Sequence, residues 1–202
     1  MTDLVLVRHG ETEWNRLGRV QGLSDIPLNE TGRRQAREAG RRLRSQHWDA
    51  IAASPLARAA ETAEIIAQEV GLPGPELVEA LVERNYGDAE GLTGDEIDRR
   101  WGGELKARES RESVLQRAVP ALVALAERHQ DGRVLVVTHG GVIGSLVRST
   151  TEWAWPEHGV RIENGSDHVF RVEGEQISLI TFAGRPWSAD LLPAEDPVAT
   201  TD

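Results

Sequence analysis

The chain has 202 residues, of which 39% are hydrophobic and 28% are charged, a size and composition typical of one globular domain with a substantial core. The absence of cysteine excludes disulfides, thiolate metal sites and cysteine nucleophiles, and the net charge of −10 argues against a general nucleic-acid or membrane-surface binder. No stretch approaches the ~18 apolar residues that span a bilayer, and the N-terminus lacks a signal pattern, so we expect a cytoplasmic protein that attracts any anionic ligand locally.

The N-terminal part of the chain alternates strand and helix signals. The apolar run Leu4–Val7 predicts a strand buried on both faces, and Asn29 is placed to cap a helix over residues 30–44. Residues 49–53 predict a second short strand.

The helix that follows this strand has clear signals at both ends. Ser54 is predicted to cap it, Pro55 to occupy its first position and Gly71 to end it. After a break at residues 72–75, a short extended piece leads into a loop.

The C-terminal half adds helices, one more buried strand and a hairpin. The predicted elements are a short helix over 94–101, a longer helix over 110–128, an apolar strand ending at Thr138 and His139, a helix from about Gly141, an irregular stretch over 151–166, and a hairpin over 168–182 that turns at 173–175. This order indicates an α/β fold, a three-layer α/β/α sandwich with a mostly parallel central sheet and an antiparallel edge from the hairpin. We expect a single domain over residues 1–192 and a disordered tail over 193–202.

Two of the predicted strands end in the same way. The segments "VLVRHG" and "VVTHGG" each place a histidine, His9 or His139, at the end of an apolar run and directly before a glycine. If the strands are parallel neighbours, both histidines stand at the carboxyl edge of the sheet, where ligands bind in such folds. The glycines would let the backbone turn sharply and let its N–H groups approach an anion. Arg58, near the start of a helix that follows another strand, should point to the same edge.

These residue types suit phosphoryl chemistry. Arg8 and Arg58 with the two histidines would form a pocket rich in N–H donors, and nearby arginines would favour the neutral, nucleophilic form of His9. Transfer of a phosphoryl group to His9 would give a phosphohistidine without any metal ion. A nearby carboxylic acid would protonate the leaving alkoxide and, once ionised, activate water. The residues alone leave four carboxylates open for this role: Glu79, Glu83, Asp88 and Glu90.

Four segments, "LVRHGETEWN", "SPLARAAET", "ERNYGDAEGLT" and "VVTHGGVI", resemble in type and order the motifs of the histidine phosphatase superfamily, in its phosphoglycerate mutase-like branch. The similarity extends over about residues 4–182. It implies that His9 is the phosphorylated nucleophile, and it selects Glu83 as the general acid/base. It assigns the phosphate pocket to Arg8, Arg58 and His139. It also implies residues that line the phosphate or its neighbouring groups: Asn15, Gln21, Gly22 and the Gly140 backbone.

Residues beside Glu83 are further candidates for substrate contact. Tyr86 either contacts the substrate or packs in the core, and Arg84 is one of several arginines able to hold a second carboxylate or phosphate. The others are Arg99, Arg100 and Arg108. The substrate itself is left open among sugar phosphates, phosphoserine, glycosyl phosphoglycerates and cobalamin-precursor phosphates.

The chain departs from the family pattern after the predicted acid. Ala89 replaces the tryptophan that is usual in the phosphatases, a change expected to widen the pocket. The form Glu-Arg-x-Tyr-Gly at 83–87 is instead common in cofactor-dependent mutases. The long insertion of the mutases, with its lysine and paired arginines, is not matched in spacing by Lys106 and Arg99–Arg100. A short insertion leaves the pocket more open to water, which favours hydrolysis.

The sequence therefore predicts a metal-independent phosphatase that acts on a small phosphorylated metabolite, with no cofactor and with no nucleic-acid or membrane partner. The alternative within enzymes is a phosphoglycerate mutase, which would need 2,3-bisphosphoglycerate to prime His9. A catalytically weak phospho-ligand binding protein, and a metal hydrolase that uses His9 and His139 as ligands, are weighed as other classes. The exposed edge of the hairpin leaves a homodimer open.

Overall fold

A seven-stranded sheet runs through the part of the chain that the computed structural model describes, residues 1–102, 108–153 and 161–187. Its strands are β1 (Thr2–Arg8), β2 (Ala50–Ala53), β3 (Glu76–Leu77), β4 (Arg133–Thr138), β5 (Asp167–Glu173), β6 (Gln176–Phe182) and β7 (Arg185–Pro186). Across the sheet they lie in the order β3-β2-β4-β1-β5-β6-β7. Because β1 is parallel to β4 and antiparallel to β5, it joins the parallel part of the sheet to the predicted antiparallel edge.

Helices cover both faces of this sheet. They are α1 (Glu13–Arg16), α2 (Glu30–Leu43), α3 (Ala57–Val70), α4 (Gly94–Trp101), α5 (Arg111–Arg128) and α6 (Gly140–Thr150), with 3₁₀ turns at Glu79–Leu81 and Gly87–Ala89. Helices α2 and α3 pack over one core of the sheet, and α5 and α6 pack over the other. The predicted three-layer α/β/α arrangement is therefore confirmed.

Alternate residues of β1 contribute to the two cores, which explains why this strand is a continuous apolar run. Leu4 and Leu6 join the core under α5 and α6, whereas Val5 and Val7 join the core under α2 and α3. The register of β1 against β4 pairs Arg8 with Thr138. The residues that follow, at positions 9 and 139, therefore leave the sheet side by side.

Several predicted boundaries are confirmed. Asn29 caps α2, α4 covers the predicted range 94–101, and Ser110 caps α5. The hairpin of β5 and β6 turns at the predicted place, and α6 begins at Gly140, beside its predicted start. The short α1 and β7 were not predicted from the sequence.

The start of α3 differs from the prediction. The sequence predicts that Ser54 caps this helix, but the helix begins at Ala57, after Leu56. The Ser54 hydroxyl lies instead 2.8 Å from Nε2 of His139. Pro55 is consequently part of the loop before α3 rather than its first residue.

Some predictions fall outside the described residues. These are the tail over 193–202, Lys106, and the middle of the irregular stretch over 151–166. The domain boundary at residue 192 stays a prediction. No helix in the described ranges combines the length and the apolar character that a bilayer-spanning segment needs.

Candidate active site

The ends of β1 and β4 bring two histidine rings together. His9 follows β1 and His139 follows β4, and the centroids of their rings lie 5.1 Å apart with an angle of 59° between the ring planes. His9 is 2% exposed and His139 is completely buried. The juxtaposition expected from the two similar strand ends is therefore present.

Hydrogen bonds around His9 determine which ring nitrogen is free. Nδ1 lies 2.7 Å from the carbonyl oxygen of Gly10. Because a carbonyl oxygen can only accept, Nδ1 carries the proton and Nε2 keeps its lone pair. The Asn164 side chain donates to the carbonyl oxygen of His9 at 2.9 Å and holds the backbone at this point. The ring is thus in the tautomer that offers Nε2 as a nucleophile.

Gly10 has a role that differs from the predicted one. Its N–H group donates to Oγ1 of Thr62 at 3.1 Å, so the expectation that this group approaches an anion is wrong. A β-carbon at position 10 would lie 2.4 Å from the carbonyl oxygen of Gly32 in α2. The close approach of two backbones therefore requires glycine here.

Burial and positive charge keep both imidazoles neutral. Burial lowers the pKa of His9 well below the ordinary histidine value, and the charges of Arg8 and Arg58 lower it further. The pKa of His139 is also well below that value, again because of burial first and Arg58 second. At neutral pH each ring therefore has one protonated and one unprotonated nitrogen.

Arg58 connects this cluster to the loop before α2. Its side chain is fully buried, Nη1 donates to the carbonyl oxygen of Ser24 at 2.9 Å, and Nη2 donates to that of Gly22 at 2.8 Å. Arg8 donates through Nη1 to the carbonyl oxygen of Ile162. Burial lowers the pKa of both guanidinium groups, and the negative charge of Glu83 partly opposes this effect.

Unsatisfied buried nitrogens concentrate in the same cluster. In the part of the chain that the structure describes, four buried side-chain atoms lack a hydrogen-bond partner, and three of them are Nε of Arg8, Nε of Arg58 and Nδ1 of His139. A buried polar group without a partner costs about 1–3 kcal/mol. An oxyanion seated among these residues would satisfy such groups and offset that cost.

Glu83 is the carboxylate that the fold presents to this cluster. It is 9% exposed, Oε1 accepts from the N–H of Arg84 at 2.7 Å, and Oε2 accepts from the N–H of Gly141 at 3.1 Å. Two of the competing carboxylates, Glu79 and Asp88, are exposed. Burial beside Arg8 and Arg58 therefore distinguishes Glu83 from these neighbours.

The fourth carboxylate, Glu90, is used in a structural role. Its Oε1 accepts from the backbone of Leu23 at 2.9 Å, and its Oε2 accepts from the backbone and the hydroxyl of Ser24 at 2.9 and 2.7 Å. The N–H of Tyr86 also donates to Oε1 at 3.2 Å. These bonds fix the loop that contains Ser24, the same loop whose carbonyl oxygens accept hydrogen bonds from Arg58.

A cavity of about 560 Å³ opens at this end of the sheet. Five predicted site residues line it: Arg8, Asn15, Glu83, Tyr86 and Gly140. Burial raises the pKa of Tyr86 to about 12, so its phenol remains a hydrogen-bond donor. In the described ranges, no three histidine, aspartate or glutamate side chains are grouped as a metal ion would need.

Other predicted site residues are not part of the described lining: His9, Gln21, Gly22, Arg58, Arg84 and His139. Gln21 accepts from the hydroxyl of Thr12 at 2.8 Å, and Nε of Arg84 donates to the carbonyl oxygen of Glu109 at 2.5 Å. Their substrate contacts stay predictions.

The expectations for four other positions are corrected. Ala89 is 1% exposed and absent from the described lining, so the expectation that it widens this pocket is wrong. Arg99 and Arg100 lie exposed on α4, and Arg108 is also exposed, so the described cavity wall includes none of these arginines.

Sequence reasoning missed several residues of the site. Ser54 contacts His139, and the cavity is also lined by residues that no motif singled out: Arg19, Arg111, Arg148, Arg161 and Asn164. No local pattern marks these arginines, because Arg111 and Arg148 reach the cavity through the packing of α5 and α6, and Arg19 and Arg161 reach it from segments outside the helices.

Comparison with known proteins agrees with this architecture. A family model described as histidine phosphatase superfamily (branch 1) matches residues 4–183. The "uncharacterized phosphatase PhoE" of Bacillus subtilis is 43% identical over 148 residues, which are 73% of this chain and 76% of PhoE. Phosphoglycerate mutase-like protein 4 of Arabidopsis thaliana is 36% identical over 184 residues, which are 84% of this chain and 79% of that protein.

A solved structure shares the whole fold. The mycobacterial glucosyl-3-phosphoglycerate phosphatase, in a complex with VO3, superposes with a TM-score of 0.80 at 30% identity. The match covers 90% of this chain and 98% of that chain.

Proposed function

Because the chain belongs to the histidine phosphatase superfamily, we propose that it hydrolyses small-molecule phosphomonoesters without a metal ion, through a phosphohistidine on His9. The observation that carries this proposal is the set of unsatisfied nitrogens of Arg8, Arg58 and His139 around a histidine whose Nε2 is unprotonated. Relatives named as phosphatases support the same reaction class.

The first step transfers the phosphoryl group to the protein. The Nε2 lone pair of His9 attacks phosphorus, an N–P bond forms, and the ester P–O bond breaks. Glu83, as a carboxylic acid, gives its proton to the leaving alkoxide. The donors of Arg8, Arg58 and His139 bind the phosphoryl oxygens, over which the negative charge is spread.

The second step returns His9 to its starting state. The Glu83 carboxylate takes a proton from a water molecule, and the oxygen of that water bonds to phosphorus. The N–P bond breaks, its electron pair returns to Nε2, and inorganic phosphate leaves. One glutamate thus acts first as an acid and then as a base.

A phosphoglycerate mutase is the second candidate, favoured by the Glu-Arg-x-Tyr-Gly form at 83–87 and by relatives that carry that name. In this reaction the phosphoryl group on His9 returns to an organic hydroxyl. A mutase primed with 2,3-bisphosphoglycerate interconverts 2- and 3-phosphoglycerate and releases little phosphate. Phosphate release and isomer interconversion, measured on the same sample, separate the two functions.

The test is phosphate release from p-nitrophenyl phosphate and 3-phosphoglycerate in the presence of EDTA. We expect turnover that falls by at least roughly a thousandfold in His9→Ala. His47→Ala, which changes a highly exposed histidine, is the matched control and should keep the activity. Comparable turnover in His9→Ala would exclude the phosphohistidine, and loss of activity in EDTA would exclude the metal-independent mechanism.

A further inference from the structure

The carbonyl oxygen that faces the His9 ring belongs to a peptide group whose other end is bound to α2. Gly10 and Glu11 share this peptide group, and the N–H of Glu11 donates to Oε1 of Gln35 at 2.8 Å. Gln35 lies in the second turn of α2 and is half-buried. Because a peptide group is planar, the directions of its C=O and N–H are coupled. The bond to Gln35 therefore restrains the direction in which the Gly10 carbonyl oxygen points.

Residue 10 needs this restraint because it is a glycine. A β-carbon at position 10 would lie 2.4 Å from the carbonyl oxygen of Gly32, and a β-carbon at position 32 would lie 2.1 Å from that of Glu11. The two backbones therefore touch, and neither position has room for a side chain. Glycine also has the widest choice of φ and ψ. The close packing against α2 thus leaves the Gly10 carbonyl group free to rotate unless a hydrogen bond restrains it.

The preceding peptide group, between His9 and Gly10, is restrained at both of its ends. Its C=O accepts from Nδ2 of Asn164 at 2.9 Å, and its N–H donates to Oγ1 of Thr62 at 3.1 Å. The peptide group that follows has its C=O bonded to the His9 ring and its N–H bonded to Gln35. Side chains from three different segments therefore restrain two successive peptide groups, and Gln35 restrains the one that contacts the ring.

We propose that Gln35 is a positioning residue for the His9 nucleophile. By accepting from the N–H of Glu11, it holds the Gly10 carbonyl oxygen against Nδ1, so that this nitrogen keeps the proton and Nε2 keeps the lone pair. Without this bond the carbonyl group rotates away, and the ring exchanges between tautomers and orientations. The inference rests on the proposed function, because that function gives the tautomer its role in phosphoryl transfer.

The first measurement detects the tautomer directly. Nitrogen-15 NMR correlations of the imidazole ring distinguish Nδ1–H from Nε2–H, and the signals of His9 are those that disappear in His9→Ala. We expect the wild type to show the Nδ1–H tautomer of His9. Gln35→Met removes the acceptor but keeps a side chain of similar length, and it should show both tautomers. Gln35→Glu keeps an acceptor oxygen at the same reach and should show the wild-type tautomer.

The second measurement separates a misplaced nucleophile from damage to the phosphate pocket. kcat/KM for p-nitrophenyl phosphate reports transfer of the phosphoryl group to His9, whereas the inhibition constant of inorganic phosphate reports binding alone. We expect kcat/KM of Gln35→Met to fall by roughly 10–100-fold, because the reacting atoms lose their near-attack geometry. The inhibition constant should change by less than about twofold, because the groups that bind phosphate are unchanged. Gln35→Glu should regain most of the lost activity.

Gln68→Met is the matched control. Gln68 is exposed on α3, so both substitutions place methionine for glutamine inside a helix of 14 residues. This variant should show the wild-type tautomer and wild-type kinetics. If circular dichroism shows that Gln35→Met does not fold, both measurements are made on Gln35→Asn, whose amide is one methylene shorter and falls short of the N–H of Glu11.

The outcomes separate this inference from the proposed function. The Nδ1–H tautomer alone in Gln35→Met would overturn the inference, and so would equal losses of kcat/KM and of phosphate affinity. A mixture of tautomers with unchanged kcat/KM would also overturn it and would leave the proposed function intact. If the wild type turns over no phosphoester, the proposed function fails, and the tautomer of His9 alone decides whether Gln35 controls the ring.

Discussion

At the residue scale, the protonation state of His9 follows from contacts that its ring makes with its own chain and with charged neighbours. The bond from Nδ1 to the Gly10 carbonyl oxygen assigns the proton, and burial beside Arg8 and Arg58 removes the cationic form. A histidine on an exposed loop would be partly protonated near pH 6.5 and would exchange between tautomers. The fold therefore keeps His9 in one neutral tautomer, the form that the proposed nucleophile needs, throughout the neutral pH range.

The role of Glu83 predicts a change in the kinetics rather than a simple loss. p-Nitrophenolate leaves without much need of a proton, so phosphorylation of His9 should remain fast in Glu83→Gln, whereas the attack of water loses its base. We expect a burst of about one p-nitrophenol per active site, followed by turnover slower by roughly 10²–10⁴-fold. Stopped-flow absorbance measures both phases.

The matched control for that experiment is Glu79→Gln, which changes an exposed carboxylate in the same segment. It should show wild-type kinetics. A uniform slowing of both phases in Glu83→Gln, with no accumulation of phosphorylated protein, would contradict the assignment of Glu83 as the base.

The residues that the sequence could predict are those whose positions follow from local pattern. His9 and His139 stand at the ends of two apolar runs, and parallel pairing of these runs is enough to bring them together. Glu83 needed the family resemblance, because its burial depends on Gly141 and the end of β4. Arg111 could not be found, since its place in the cavity wall arises from packing between α5 and α6.

At the element scale, tertiary contacts decide where α3 begins. Ser54 has the residue type and position of a cap, but its hydroxyl is bound to His139. The first helical N–H group, that of Ala57, is instead satisfied by the carboxylate of Asp25 at 2.8 Å. Local sequence signals locate a helix well where no distant group competes for its cap, as for Asn29 and α2.

The end of α3 is decided locally, and this gives a clean prediction. Gly71 has φ of 77°, and a β-carbon there would meet no atom within 4 Å, so alanine would cause backbone strain alone. We expect Gly71→Ala to lower the free energy of unfolding by about 1–2 kcal/mol. Urea denaturation followed by circular dichroism measures this change.

Gly74→Ala is the control for that substitution. A β-carbon at position 74 would also meet no atom within 4 Å, and the residue does not have a positive φ. The free energy of unfolding of Gly74→Ala should therefore equal or slightly exceed that of the wild type, because alanine reduces the conformational entropy of the unfolded chain. If both variants lost the same free energy of unfolding, the left-handed conformation of Gly71 would not be the cause of the destabilisation.

At the scale of the whole molecule, charge is distributed unevenly. The chain carries a net charge of −10, yet the described cavity wall includes Arg8, Arg111 and Arg148. An anionic molecule would therefore be repelled by the average surface and attracted within a short distance of the cavity. Attraction of an anion then depends on this local cluster of arginines. The molecule also contains buried histidines whose protonation is coupled to folding.

That coupling predicts how stability depends on pH. His168 is buried, Nδ1 accepts from the N–H of Ala183 at 3.3 Å, and burial lowers its pKa to about 4. Between pH 6.5 and about 4, the unfolded chain binds a proton that the folded chain does not, so the free energy of unfolding falls as the pH falls. His9 and His139 act in the same direction.

Urea unfolding at pH 7 and pH 5 tests this argument. For His168 alone, the expected loss over that range is about 2 kcal/mol, because each pH unit below 6.5 contributes about 1.4 kcal/mol. His168→Gln keeps a polar group at this position but cannot titrate, so its stability should decrease less between the two pH values than that of the wild type. The comparison of the two slopes removes the contribution of carboxylates, which is common to both proteins. An equal or steeper decrease in the variant would mean that His168 takes up its proton without unfolding, and that the hairpin of β5 and β6 hydrates this ring at low pH.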